Sequence, residues 1–185
     1  MKNIIAICGS TRTNSTNLNF IKAVAALSSE FFSVKIFNGI ADIPHFNPDL
    51  DNDDPPSSVT TFRELLQNAD GILICTPEYA MGVPGTLKNA IDWTVSSCEF
   101  SHKPVALITA SSVGQKGHAA LLETLKIIEA KMSDETQLLI SFAKTKINND
   151  CTVQDEATLA AIKKLITAFD VLIETNNSIK SKNKQ

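Results

Sequence analysis

Gly71-Ile72-Leu73-Ile74-Cys75-Thr76-Pro77-Glu78-Tyr79, followed shortly by Pro84-Gly85-Thr86-Leu87-Lys88-Asn89-Ala90-Ile91-Asp92-Trp93, is the stretch that decides the fold. The apolar run 71–75 has the length and content of a parallel-sheet strand covered on both faces. Pro84 suits the first turn of a helix, where its missing N–H costs nothing. A buried strand therefore passes into a helix through a loop, Thr76 to Val83, at the carboxyl edge of a sheet. Ligands bind at that edge in open α/β sheets.

The amino terminus repeats the arrangement. Asn3-Ile4-Ile5-Ala6-Ile7-Cys8 reads as a second buried strand, and Gly9-Ser10-Thr11-Arg12-Thr13-Asn14-Ser15-Thr16-Asn17 follows it directly. A helix starting near Thr16 puts Leu18, Ile21, Val24 and Ala25 at helical spacing, with Ser15 or Thr16 as N-cap. Hydroxyls, free backbone N–H groups and an arginine at a helix N-terminus favour an anion. The loop lacks the glycine patterns that cradle a pyrophosphate or a triphosphate. The second strand, Ser33-Val34-Lys35-Ile36-Phe37, ends at Asn38 rather than at the acid expected to hold an adenosine ribose. One terminal phosphate, as on the mononucleotide FMN, suits these hydroxyls better, with Arg12 adding a charge-assisted contact. Only two arginines, Arg12 and Arg63, occur among 17 basic residues, so one in this loop is informative.

Along the chain, strands are expected near 3–8, 32–37, 71–75, 103–109 and 136–142, separated by helices at about 16–30, 57–69, 84–97, 116–132 and 154–175. Strict alternation implies an α/β three-layer sandwich around a parallel sheet, right-handed crossovers leave few ways to wind it, and the order 2-1-3-4-5 is expected. Flavodoxin has this order, with its flavin at the switch between strands one and three. Residues 1–175 are expected to form a single domain, followed by a disordered polar tail at 176–185. The connection from Gly39 to Pro56, rich in Pro, Asp and Asn, reads as a surface loop that borders the cofactor.

Composition excludes other classes. A net charge of −3 gives no reason to expect nucleic acid or an anionic membrane as partner. No apolar run approaches spanning length and no signal peptide is visible, so the protein is expected in the cytoplasm. Cys8, Cys75, Cys98 and Cys151 show no metal spacing and read as reduced thiols, with Cys8 and Cys75 packing at strand ends. His45, His102 and His118 are scattered. The acidic run Asp49, Asp51, Asp53, Asp54 fails the EF-hand pattern and reads as a solvated loop. A low-molecular-weight phosphatase needs arginine at position 14, which is Asn14. A receiver domain needs an aspartate where Cys75-Thr76 stand.

Taken together, Gly9-Ser10-x-Arg12-x-x-Ser15-x-Asn17, Ile43-Pro44-His45-Phe46-Asn47-Pro48-Asp49, Ala69-Asp70, Thr76-Pro77-Glu78-Tyr79 and the 84–93 motif resemble the NAD(P)H-dependent FMN reductase family. That family is flavodoxin-like and includes quinone, azo and chromate reductases. The resemblance implies that Ser10, Arg12, Ser15, Thr16 and Asn17 hold the FMN phosphate. It also implies that Pro77, Glu78, Tyr79 and Ala80 run beside the flavin ring, and that the loop carrying Ser111 closes the other side. Many relatives continue Pro-Glu-Tyr with Asn; this chain has Ala80-Met81-Gly82, with Gly82 expected to permit the sharp turn. The implied activity passes a hydride from NADPH or NADH to bound FMN and on to a small-molecule acceptor: a quinone, azo compound, free flavin or metal oxyanion. Glu78 reads as a structural carboxylate, and no catalytic side chain and no metal are expected. The alternatives are a flavodoxin-type electron carrier and an FMN-binding regulatory protein. Tyr79 as the lone aromatic of the ring loop favours the reductase over the carrier. A homodimer, or a tetramer built from it, is expected because Trp93 projects off the apolar stripe of its helix and because this helix meets its mate in the resembling family.

Overall fold

The computed structural model describes residues 1–182. A five-stranded parallel sheet in the order β2-β1-β3-β4-β5 forms its centre, with β1 at Lys2–Cys8, β2 at Phe32–Phe37, β3 at Gly71–Thr76, β4 at Val105–Ala110 and β5 at Gln137–Ile140. β1 is paired on both sides, Ile4 lying between Val34 and Gly71. Every residue of β3 and β4 is buried, which is why these strands read as unbroken apolar runs.

Helices cover both faces. α1 (Thr16–Leu27) and α5 (Glu156–Lys182) place Phe20, Ile21, Ile166 and Phe169 against Ile4, Leu73 and Ile108. On the opposite face α2 (Ser57–Gln67), α3 (Gly85–Asp92) and α4 (Gln115–Ile127) place Phe62, Leu66, Leu87, Ile91 and Leu121 against Ile7, Ile74 and Leu107. Each such fully buried side chain contributes about 1.5–3 kcal/mol, so the two layers fix the sheet from both sides. This is the flavodoxin-like sandwich and strand order expected from the sequence.

Four expectations are corrected. α3 stops at Asp92 rather than 97, because Arg63 takes the Trp93 carbonyl with Nε at 2.8 Å and with Nη2, and the chain then turns through left-handed Cys98. Trp93 is fully buried within the chain: its Nε1 donates to the Pro44 carbonyl at 2.8 Å and its ring meets Phe46 edge-on at 5.1 Å. It therefore needs no partner surface. Asp51 of the acidic run is not solvated but pairs with Arg63 at 2.7 Å and accepts from Ser96 Oγ at 2.7 Å. α5, expected to end at 175, continues to Lys182, since nothing in Asn176-Asn177-Ser178 breaks the helical ladder and the hydroxyls of Ser178 and Ser181 bond back to Glu174 and Asn177. The rest of the expected tail, 183–185, lies outside the described residues.

The α3 motif explains the long connection after β2. Asn89 Nδ2 donates to the Pro44 carbonyl at 2.9 Å, while its Oδ1 accepts from the Phe46 N–H at 2.7 Å. Asn89 and Trp93, one helical turn apart, thus staple residues 44–46 to α3. No residue of 39–56 lines the main cleft, but Ile40 and Ala41 line a smaller adjoining cavity together with Ser10 and Arg12 of the β1–α1 loop.

Candidate functional site

A cleft of about 470 Å³ opens at the carboxyl edge of the sheet, over the ends of β1, β3, β4 and β5. Its first wall is the β1–α1 loop. Gly9 must be glycine, because a Cβ there would stand 2.3 Å from Thr76 Oγ1 on the neighbouring strand. This close approach brings the ends of β1 and β3 together. Ser15 caps α1, its Oγ accepting from the Leu18 N–H at 3.4 Å, and Ser10 Oγ accepts from the Arg12 N–H at 3.4 Å. The first intrahelical bond is the one Asn19 makes to Ser15, so the N–H groups of Thr16 and Asn17 lie ahead of the ladder at the mouth of the helix. No acidic residue stands in the first turn of α1. Among the described residues the Arg12 guanidinium has no hydrogen-bond or ion-pair partner. Hydroxyls, helix N–H groups and an uncommitted guanidinium are the donor set of a phosphate monoester site.

The strand-end cysteines support this wall from below. The Cys8 thiol donates to the Ser10 carbonyl and the Cys75 thiol to Asn17 Oδ1, each at 3.3 Å. Burial pushes both thiols above their ordinary range, Cys75 well above it, so they are neutral donors rather than nucleophiles. Their packing role was readable in the sequence; their orientation of the loop was not.

The second wall is the loop after β3. Glu78 Oε2 accepts from the Gly117 N–H at 2.6 Å, tying the loop to the start of α4, as the structural reading of this carboxylate required. Gly117 allows the approach: a Cβ there would fall 2.7 Å from the Gly82 carbonyl. Tyr79 and Gly82 exchange backbone hydrogen bonds at 3.0 and 2.9 Å around a two-residue turn. The turn is sharp, but its left-handed residues are Ala80 at φ 50° and Met81 at φ 64° rather than the glycine. Two non-glycine residues therefore adopt the conformation that Asn and Gly take readily.

Nine of the ten residues singled out in the sequence line the cleft together: Ser10, Arg12, Ser15, Thr16, Asn17, Pro77, Glu78, Tyr79 and Ser111. Ala80 does not, since it sits at the tip of the turn. Sequence reasoning anticipated the loop after β4 through Ser111 but missed the fourth wall, Phe142-Ala143-Lys144-Thr145, which follows β5. Backbone bonds from Phe142 N–H to Ser112 and from Ala143 N–H to Ser111, both 3.0 Å, hold it to the β4 loop. The only available signal was its place after the last strand. Phe142 also corrects the argument from a lone aromatic, because two aromatic side chains, Tyr79 and Phe142, line the cleft. Among the described residues there is no cluster of side chains that would hold a metal, and no helix long and apolar enough to cross a membrane.

The site fits FMN by its chemistry, with a phosphate donor set at one end and a partly apolar slot at the other. Comparison with known proteins agrees. The family model described as NADPH-dependent FMN reductase matches residues 2–145. A quinone reductase of Escherichia coli is 31% identical over 179 residues, 92% of this chain and 95% of its own length. An NAD(P)H-dependent FMN reductase of Pseudomonas aeruginosa is 30% identical over 176 residues, covering 92% of this chain and 94% of the other. The solved structure of a flavoenzyme NAD(P)H:(acceptor) oxidoreductase from Paracoccus denitrificans superposes with a TM-score of 0.85 at 28% identity, covering 95% of this chain and 99% of that one. Fold, site chemistry and these likenesses converge: the chain belongs to the NADPH-dependent FMN reductase family, oxidoreductases that use FMN with NAD(P)H.

Proposed function

We propose that the cleft binds one FMN per chain, its phosphate at the α1 N-terminus, and that the protein reduces quinones with NAD(P)H. The observation that carries this reading is the uncommitted Arg12 guanidinium set among Ser10, Ser15 and Thr16 at the mouth of a helix free of acidic residues in its first turn. FMN bound there supplies two-electron chemistry, so the balanced reaction is NAD(P)H + H⁺ + quinone → NAD(P)⁺ + hydroquinone. The protein's own residues bind and orient. Ser10, Arg12, Ser15, Thr16 and Asn17 hold the phosphate end; Pro77 and Tyr79, on a loop clamped by Glu78 to Gly117, and Ser111 opposite, set the position of the ring. Ala80, at the tip of the turn, does not line the cleft. No side-chain acid or base is assigned, because Glu78 is committed to the Gly117 N–H. Azo compounds, free flavin and metal oxyanions are further acceptors of the same site.

Donor and acceptor share one open mouth, so turnover is of the substituted-enzyme type and double-reciprocal plots are parallel. Equilibrium dialysis is expected to give one FMN per chain. Intersecting plots with a demonstrable ternary complex, or dialysis showing no FMN binding, would refute the proposal. An electron carrier or a regulatory FMN protein, the alternatives, would bind FMN yet sustain no steady-state NAD(P)H oxidation. We also place the protein in the cytoplasm, as a homodimer or a tetramer built from two dimers. The support is the family likeness and two exposed apolar residues, Met81 and Val95, on either side of α3 in the chain. Light scattering with FMN bound tests the assembly.

A further inference from the structure

We propose that Phe142 and Lys144, on the loop after β5, form a docking edge for an electron acceptor that is both aromatic and negatively charged, such as a sulfonated or ring-ionised quinone. This rests on the function proposed above and narrows its substrate class.

The first observation is the conformation of Phe142. It is left-handed, at φ 53° and ψ 37°, and the residue, which lines the cleft, is 69% exposed. An L side chain resists that backbone, and an exposed phenyl ring gains nothing from burial. The neighbouring structure nevertheless imposes it. The Phe142 and Ala143 N–H groups are held by Ser112 and Ser111, Ser141 Oγ donates to the Val113 carbonyl at 2.8 Å, and Thr145 Oγ1 donates to the Phe142 carbonyl at 2.9 Å. A rigid loop thus presents a flat apolar face to the cleft, which is also lined by Tyr79, itself 48% exposed.

The second observation is charge. The cleft is lined by two cations, Arg12 and Lys144, and one carboxylate, Glu78, whose Oε2 is engaged by Gly117. Among the described residues the Lys144 ammonium, like the Arg12 guanidinium, has no hydrogen-bond or ion-pair partner. A bound phosphate monoester answers Arg12. Lys144 stands two residues after Phe142 on a loop that is fastened to the β4 loop at the β5 side of the sheet and that runs on to α1, where the Asn148 carbonyl accepts from Asn19 Nδ2 at 3.2 Å. β5 lies three strand spacings, roughly 14 Å, from β1, where the phosphate loop begins. One uncommitted cation beside one exposed ring on the same loop, with Arg12 already matched to the phosphate monoester, fits a planar ligand that carries its own negative charge.

The test titrates the FMN-loaded protein by calorimetry with naphthalene sulfonate and with uncharged naphthyl methanol, both redox-inert, at low and high salt. The wild type prefers the sulfonate roughly fivefold, a surface charge-pair effect that shrinks in high salt. Lys144→Gln abolishes the preference while leaving naphthyl methanol binding intact. Phe142→Gly weakens both ligands roughly fivefold and, by relieving the left-handed backbone, raises Tm by about 2–4 °C. A purely structural Phe142 would not couple weaker ligand binding to a more stable fold. The proposal is overturned if the sulfonate preference is absent or survives in Lys144→Gln, or if Phe142→Gly binds both ligands normally. It is also overturned if Phe142→Gly changes the particle mass in light scattering, which gives the ring to a subunit contact, or if Lys144→Gln weakens FMN itself, which gives the lysine to the phosphate. A protein that binds no FMN overturns the proposed function instead, and the same titrations without flavin still decide for or against the edge.

Discussion

Arg12 is the one side chain through which the phosphate end of the cleft can be tested alone. Its guanidinium has no partner among the described residues, so removing it leaves the fold's own contacts in place. Arg12→Ala deletes a charge-assisted contact worth about 1.5–3 kcal/mol and weakens FMN roughly ten- to a hundredfold. Riboflavin, which lacks the phosphate, binds wild type and variant alike; weakening of both would mean a general defect, and unchanged FMN affinity would leave the anion to the Ser10, Ser15 and Thr16 hydroxyls and the helix N-terminus. Single residues were legible where their chemistry is local. Ser15 was one of two cap candidates that loop-to-helix grammar offered, and it is the one that caps α1; the close approach of Gly9 to Thr76 was not readable from the loop alone. The turn at Ala80 and Met81 was not legible in this way, because its left-handed residues lack the Asn or Gly that announces such a turn. The Glu78–Gly117 hydrogen bond and the paired backbone bonds between Tyr79 and Gly82 override local preference there.

At the scale of elements, α3 shows what one motif can hold. Asn89 and Trp93 share the Pro44 carbonyl as acceptor, and Asn89 alone satisfies the Phe46 N–H, so the connection after β2 is tied down by side chains of a helix more than forty residues away. Asn89→Ala breaks two of these bonds and is expected to cost about 1–3 kcal/mol, read as a lower midpoint in urea unfolding with unchanged slope. FMN affinity should stay near wild type, since residues 43–47 do not line the cleft. A loss of flavin binding as large as the loss of stability would show that the staple shapes the site after all. The apolar interiors of strands and helices were readable from periodicity, but their ends were set by distant partners. Arg63 reaching the Trp93 carbonyl stops a helix that the local sequence would continue, and no pattern within 84–97 contains that information.

For the whole molecule, alternation and crossover handedness narrowed the strand order to a few, of which the expected one is found, and three of the four loops that line the cleft, those leaving β1, β3 and β4, were anticipated. The fourth was hidden because Phe142-Ala143-Lys144-Thr145 carries no motif, and its place at the cleft is created only when β5 pairs with β4. The same packing sets how the fold responds to acid. His118, near the start of α4, sits against buried Thr109 at the end of β4, with Nδ1 and Oγ1 2.8 Å apart. Burial lowers its pKa below the ordinary 6.5. The unfolded chain therefore takes up this proton at a higher pH than the folded one, so the contribution to stability is complete above pH 6.5 and is lost as pH falls through that value toward the lowered one. The hydrogen bond from Arg63 likewise holds Asp51 below its ordinary 3.8, which confines its contribution's loss to pH below 3.8. Urea midpoints measured without added flavin, so that ligand release does not mask the effect, should decline in a first step beginning near pH 6.5 and a second below 3.8. His118→Gln, which cannot titrate, should remove the first step and keep the second; a first step of the same size in the variant would assign the proton to another group and leave His118 as a packing residue only.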